Sequence, residues 1–568
     1  MLTEDTTLGS VGIRSNWDPE QAVDGDGPWP HVHFVTYLAI FAVNLAFVAQ
    51  NFAITGAGTQ AQIIGRILGS SDTGWTTGTL AIFCVVLGPV VSQGADLWGR
   101  KWFFVVLNSC GFAGSIIVAR ARNMPMAISG FCVIGLAFGT QGLVHAVSGE
   151  VLPRLWRSWA QAAALVSTEL GLVLGLVISG ALNQEGDPDG FRNFYYITAG
   201  LFFAATVLCI FAYNPPPTKQ QLETVGSKFA RLDWIGYILL ASSLVLFSVA
   251  LNWSQNPYPW NDPNVHVSLP FSLSIALFIS LIIYEWRKPD GLFHHGLFQN
   301  RTFAICLVCV FAEGSSFYAA NVYIPYQVST LYEKDFLFAP LRLAVGFMVA
   351  MVASVGTGLF CFLTKRVRWA TFTALVIFVA FFGAMAGIIN VDDSGNATWG
   401  LPVLLGWAFG MVLVTLVTAA QLCVPPALVT ISSCLMLSIR ALGSTVGFAI
   451  YQAVFQSALS HLDKNIKQAA LGAGLPPASI PDFVACLTAS NETSLLTIPG
   501  ANITIVEAAT IASRSTYKSG FYNVWVTAAA FVSAAAIVSL FMHDPSSEFT
   551  LHIDAPIEQE EDLYSTST

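Results

Sequence analysis

The chain has 568 residues, 54% of them hydrophobic and 10% charged, with a formal net charge of −9. A soluble domain carries about 25% charged residues, so this chain lacks the charge to coat a water-facing surface. That excludes an ordinary soluble enzyme, and no nucleic-acid partner is expected.

Residues 1–33 are polar and acidic and read as a cytoplasmic tail without a cleavable signal, so the first span acts as the insertion signal. A spanning helix needs about 20 apolar residues. Stretches of that kind lie near 34–54, 75–92, 102–119, 125–147, 160–182, 193–213, 232–252 and 268–286. Others follow near 302–326, 340–364, 369–390, 398–421, 427–456 and 521–542. The expected fold is therefore all-α and membrane-integral, with about 14 transmembrane helices. An even count puts both termini on one side.

The positive-inside rule makes that side cytoplasmic. With the N-terminus inside, the inner loops hold Arg100, Lys101, Arg154, Arg157, Lys219, Lys228, Arg231 and Arg287, among others, and the outer loops far fewer. The sequons at Asn396, Asn491 and Asn502 then fall outside as expected glycosylation sites. The ten cysteines sit mostly in apolar runs, so no disulfide framework is expected. Cys306 and Cys309 are read as packing residues, and no metal site is expected.

Between the second and third stretches lies Gly94-Ala95-Asp96-Leu97-Trp98-Gly99-Arg100-Lys101, a short charged turn. Its Gly-x-Asp-x-x-Gly-Arg-Lys pattern resembles the signature loop between helices 2 and 3 of the major facilitator superfamily of secondary transporters. Gly94, Asp96, Gly99, Arg100 and Lys101 are read as a gating latch. The aspartate would face a neighbouring helix N-terminus and the arginine a carboxylate.

The chain also repeats at a spacing of about 270 residues. Phe41, Ala49, Asn51 and Ile54 match Phe311, Ala319, Asn321 and Ile324; Pro153, Leu170, Gly171 and Gly175 match Pro425, Leu442, Gly443 and Gly447. The expected plan is an N-terminal six-helix half (34–213), a cytoplasmic loop (214–231), an inserted helix pair (232–286) and a second loop (287–301). A C-terminal half (302–542) with an outer segment 457–520 and an acidic tail (543–568) completes it. Parallel repeats of this kind place a substrate site between the halves at the midplane.

Three further stretches sharpen the resemblance. Leu232-Asp233-Trp234-Ile235-Gly236-Tyr237 with Tyr258-Pro259-Trp260 looks like span 7 of fungal fourteen-span drug:proton antiporters. Glu150 to Ala163, Phe317 to Pro325, and Arg440 to Gly447 are similar to the trichothecene efflux pump branch. The resemblance implies a plasma-membrane exporter of hydrophobic toxins, drugs or secondary metabolites, driven by the proton gradient without a cofactor and working as a monomer. Two features depart from the family: Leu136 replaces the span 4 arginine, and the span 5 motif reads Gly175-Leu176-Val177-Ile178-Ser179-Gly180 without its proline. Both touch the coupling and not the fold.

Ionisable groups inside spans are functional candidates by default. Glu313 and Glu169 are the candidate proton-coupling carboxylates. Arg440 cannot lose its proton, so it requires an anion, either a substrate or a structural partner. Gln50, Asn51, Asn321, Phe317, Tyr323 and Tyr326 are the remaining candidates for the substrate cavity. Against them stand helix–helix glue for the amides and core packing for the rings. No Gly-x-Ser-x-Gly, His-Glu-x-x-His or phosphate loop occurs, so enzymatic and self-contained ATP-driven readings are set aside. Proton-coupled uptake of a siderophore or nutrient, a transporter-fold sensor, and a vacuolar location remain the alternatives.

Overall fold

The computed structural model describes residues 32–70, 73–183, 189–217, 219–253, 267–288, 291–332, 338–389, 395–488, 495 and 497–557. Among them are 14 helices long and apolar enough to cross a membrane. The first six are α1 (Phe34–Thr59), α2 (Gly74–Trp98), α3 (Arg100–Ala119), α4 (Met124–Glu150), α5 (Arg157–Asn183) and α6 (Gly190–Ala212). A peripheral pair follows, α7 (Trp234–Trp253) and α8 (Ser268–Arg287). The last six are α9 (Arg301–Leu331), α10 (Phe338–Thr364), α11 (Arg368–Ile388), α12 (Ala397–Leu422), α13 (Val429–Leu459) and α14 (Ile503–Ser539). Fourteen crossings leave both ends of the described chain at one face, called the terminal face below.

The helices are apolar nearly all round, so packing and not an amphipathic stripe sets their rotation. Helices α1–α6 form one bundle with two cores. One lies toward the terminal face around Phe47, Phe104 and Tyr213, and the other lies toward the opposite face around Phe52, Phe131 and Phe194. Helices α9–α14 share one large core that also takes Ala162, Leu165, Leu172 and Leu176 of α5. The bundles meet where α5 packs on α10 and where α2 and α4 pack on α13.

Three elements differ from their expected form. The charged turn at 94–101 is nearly all helix: α2 runs to Trp98 and α3 starts at Arg100. Gly99 alone makes the break, at φ 97°, a backbone region that favours glycine. The fourth span is interrupted by a 3-10 turn at Phe138–Thr140. Where described, segment 457–520 is largely helical and not a plain loop: Leu462–Gly472, Ile480–Thr488 and the first turns of α14 close a small core around Ile466, Phe483 and Ile505.

Helix α8 touches little besides α7, and of its residues only Ser274, Leu281 and Glu285 are buried. The pair is held at its terminal-face end by Asp233, which precedes α7. Its carboxylate accepts the Gly236 N–H (3.1 Å), the Tyr284 hydroxyl (2.7 Å) and the Leu292 N–H (3.2 Å), and pairs with Lys288 (3.1 Å). Burial opposes its ionisation, but these bonds outweigh it and hold the carboxyl below the usual carboxylate range.

Candidate functional site

Helices α9 and α13 cross in backbone contact. A Cβ placed on Gly314 would run into the Arg440 carbonyl oxygen, and one on Gly443 into that of Phe311. Ser444 Oγ seals the crossing by donating to the Gly314 carbonyl (2.8 Å). Glu313 and Arg440 are thereby held face to face. Arg440 Nε donates to Glu313 Oε2 (2.7 Å) and Nη2 to Oε1 (3.0 Å), a two-pronged pair. The guanidinium also lies over the rings of Phe317 (4.8 Å) and Phe409 (5.5 Å), which stack on each other. Glu313 is fully buried.

Glu169 on α5 approaches this pair from the other bundle. It is also fully buried and within electrostatic reach of Arg440 and Glu313. Neither of its carboxyl oxygens has a hydrogen-bond partner among the described residues. The centre therefore holds two acidic side chains and one cation, with the cation already engaged by Glu313.

The other candidates divide. Asn321 and Phe317 line a cavity of only about 10 Å³ with Leu343, Phe347 and Phe409, inside the second bundle. That is far below the ~300–1,000 Å³ of typical ligand sites. Tyr323 and Tyr326 instead turn toward α13 and α14, where they meet Phe455, so they do not form one aromatic wall with Phe317. Asn51 and Gln50 pack within the first bundle. Asn51 donates to the Phe47 carbonyl of its own helix (2.8 Å) and lies against Gly171; Gln50 donates to Thr140 Oγ1 (2.8 Å) at the break in α4. The sequon residues Asn396 and Asn502 are exposed at the face opposite the termini, and Asn491 lies outside the described residues.

At the terminal face, Arg100 joins the bundles. It pairs with Glu150 and Asp96 (3.3 Å) and donates to Thr430 Oγ1 (2.6 Å) in the first turn of α13. Lys101 turns away to Asn214 and the Ile210 carbonyl. Gly94 lies against the Phe103 ring, where a Cβ would not fit.

Just inside lies a buried polar cluster that the sequence reading passed over. His145 Nδ1 lies 2.6 Å from Gln161 Oε1; Gln161 donates to Gln421 Oε1 (3.0 Å), and Gln421 donates to the His145 carbonyl (2.9 Å) and Ser433 (2.8 Å). Ser158 Oγ donates to the Gly358 carbonyl (3.0 Å), and Arg157 to that of Gln421 (2.8 Å). His145 and Gln161 belong to one bundle and Gln421 to the other, so this face is closed. A polar group in an apolar span was the available signal, and His145 and Gln421 both carry it.

Two six-helix bundles of helices long and apolar enough to cross a membrane, joined by these contacts, have the architecture of the major facilitator class of transporters. The proton:xylose symporter XylE shares the fold at a TM-score of 0.53 and 11% identity, over 88% of this chain and 95% of its own. The human organic anion transporter MFSD10 does so at 0.52 and 13%, over 89% and 99%. The chain belongs to the fungal trichothecene efflux pump family, whose model matches residues 24–563. It is 24% identical to the trichothecene efflux pump of Fusarium sporotrichioides over 93% of this chain and 89% of that one. It is 23% identical to an MFS-type transporter of Penicillium rubens over 86% and 88%. The protein is thus a multi-pass membrane transporter of the efflux type and not an enzyme.

Proposed function

We propose that the chain exports hydrophobic toxins, drugs or secondary metabolites in exchange for protons, by alternating access, as a monomer in the plasma membrane with the terminal face in the cytoplasm. The observation that carries the coupling is Glu169, a buried carboxyl without a hydrogen-bond partner among the described residues, beside a complete Glu313–Arg440 pair. An isolated ionised carboxylate is very costly in a low-dielectric interior, so Glu169 carries a proton in this conformation. Rocking of the bundles moves α5 relative to α13. Arg440 then exchanges between two carboxylates, and Glu169 loads and releases the proton. Glu313, the other candidate carboxylate, becomes the resident partner of Arg440.

Arg440, sandwiched with Phe317 and Phe409 beside the small pocket, supports an apolar, aromatic-lined substrate path that widens when the bundles separate. The test is accumulation of a panel of labelled hydrophobic compounds in cells expressing the chain, with and without a protonophore. Wild type is expected to lower accumulation and to lose that effect with the protonophore. Glu169→Gln is expected to abolish gradient-driven efflux while keeping substrate–substrate exchange. Efflux indifferent to the protonophore overturns the proton coupling, and raised accumulation overturns export.

The orientation has its own test. Asn396 and Asn502 would lie outside the cell, so an endoglycosidase should shift the mobility of the wild-type chain. Asn502→Gln should remove one step of that shift.

A further inference from the structure

The acidic segment that follows α14 is not a free tail. Residues 545–557 cross the terminal face and dock on the loop between α4 and α5. Two loop amides donate to the segment: Arg154 N–H to the His552 carbonyl (3.0 Å) and Leu155 N–H to that of Thr550 (2.8 Å). The Ala555 N–H returns to the Glu150 carbonyl (3.0 Å), and Pro153 and Ile553 form an isolated antiparallel bridge. Asp554 accepts from Arg154 Nε (3.0 Å) and pairs with Arg157, and Glu548 pairs with Arg154 (2.8 Å). Asp554 and Arg157 are both nearly inaccessible, at 3% and 1% side-chain exposure.

The segment is anchored to both bundles. Asp544, just before it, accepts the backbone N–H groups of Val367 and Arg368 at the start of α11 (2.7 and 2.8 Å). Phe549 is buried in the core of α9–α14, and Ile557 packs against the core of α1–α6. Arg157, held by Asp554, reaches the Gln421 carbonyl at the end of α12. The strap, the first bundle and the second bundle thus meet at one buried ion pair.

We propose that the α4–α5 loop is a binding site for the chain's own acidic C-terminal strap, and that the docked strap latches the terminal face shut. This rests on the alternating-access reading above. Separating the bundles at this face pulls α5 from α12 and stretches a strap fixed to both. It therefore costs the Asp554–Arg157 pair together with the Arg100–Thr430 bond. An interaction made in only one of two states shifts their populations by its own free energy. Undocking the strap must raise the fraction of molecules open at this face.

Cys434 is the native reporter. It is fully buried on α13, and its Cα and side chain lie directly against Gly142 of α4, in the seam between bundles. The experiment follows its labelling by a water-soluble maleimide in the full-length chain in lipid nanodiscs, read by peptide mass spectrometry. Asp554→Asn is expected to raise the labelling rate about fivefold or more, the lower end of typical coupling between sites. Asp554→Glu should stay near wild type.

Should Asp554→Asn yield little folded protein, Glu548→Gln carries the test, since Glu548 is partly exposed and its loss should give a smaller rise in the same direction. Arg100→Ala, which cuts the other link, is the control for the motion. Unchanged labelling in folded Asp554→Asn and Glu548→Gln, with a rise in Arg100→Ala, overturns the strap alone. No rise in any of them overturns the rocking bundles as well.

Discussion

Arg440→Met alone is expected to lower the unfolding midpoint sharply and abolish transport. The double variant Glu313→Leu/Arg440→Met should regain the midpoint and remain inactive. Removing the arginine strands a fully buried carboxylate that accepts no other hydrogen bond among the described contacts. Breaking one side of a buried pair costs about 3–5 kcal/mol, whereas replacing both sides by well-packed apolar groups is often neutral. Stability and transport are therefore separable here. Thermal unfolding in nanodiscs reads the first, and efflux from vesicles the second. A double variant that still transports would reduce the pair to a structural clamp and would leave Glu169 without a cation to exchange with.

The second large effect comes from the crossing that creates the pair. Gly314→Leu or Gly443→Leu is expected to abolish transport and reduce the folded yield, while Gly356→Leu, in the same bundle, leaves both near wild type. At the first two positions the obstacle is main-chain carbonyl, of Arg440 and of Phe311, which cannot swing aside. At Gly356 a Cβ meets nothing within 4 Å. Overpacking a tight core costs about 1–3 kcal/mol even where the surroundings relax. A crossing forced apart also lengthens the Arg440–Glu313 bonds. Folded yield by size-exclusion profile and efflux from vesicles give the two readings. Gly314→Leu with wild-type yield and rate would show that α9 and α13 do not rely on this contact.

The same contact explains a pattern in the sequence. A Cβ on Gly171 of α5 would stand 2.7 Å from the Val48 carbonyl oxygen of α1 and crowd Asn51, just as one on Gly443 of α13 would run into Phe311 of α9. The matched glycines of the repeat do the same work in each bundle, letting two membrane helices approach backbone to backbone.

Much of this protein was legible in the chain itself. Hydropathy alone gives fourteen spans, because every backbone polar group in a bilayer must be paired within a helix. The Gly94–Lys101 pattern and the stretches around Glu150, Phe317 and Arg440 place the chain in its family. Burial in an apolar run marks Glu169, Glu313 and Arg440 as costly residues that need a reason.

Sequence could not say which of these groups meet. Glu313 and Arg440 are far apart in the chain, and only the crossing at Gly314 and Gly443 aligns them. Gln50 and Asn51 look like cavity residues until helix rotation turns them onto Thr140, Phe47 and α5. Phe317 and Tyr323 share a helix but face different neighbours, for the same reason. In the sequence the strap is simply part of the acidic tail 543–568, because nothing near it in the chain would hold its charges. Its partners, Arg154 and Arg157, lie about 400 residues earlier. Composition and periodicity determined what crosses the membrane, since those are properties of each segment alone. Which buried charge has a partner and which has none is a property of the packing between segments, and only the tertiary structure decided it.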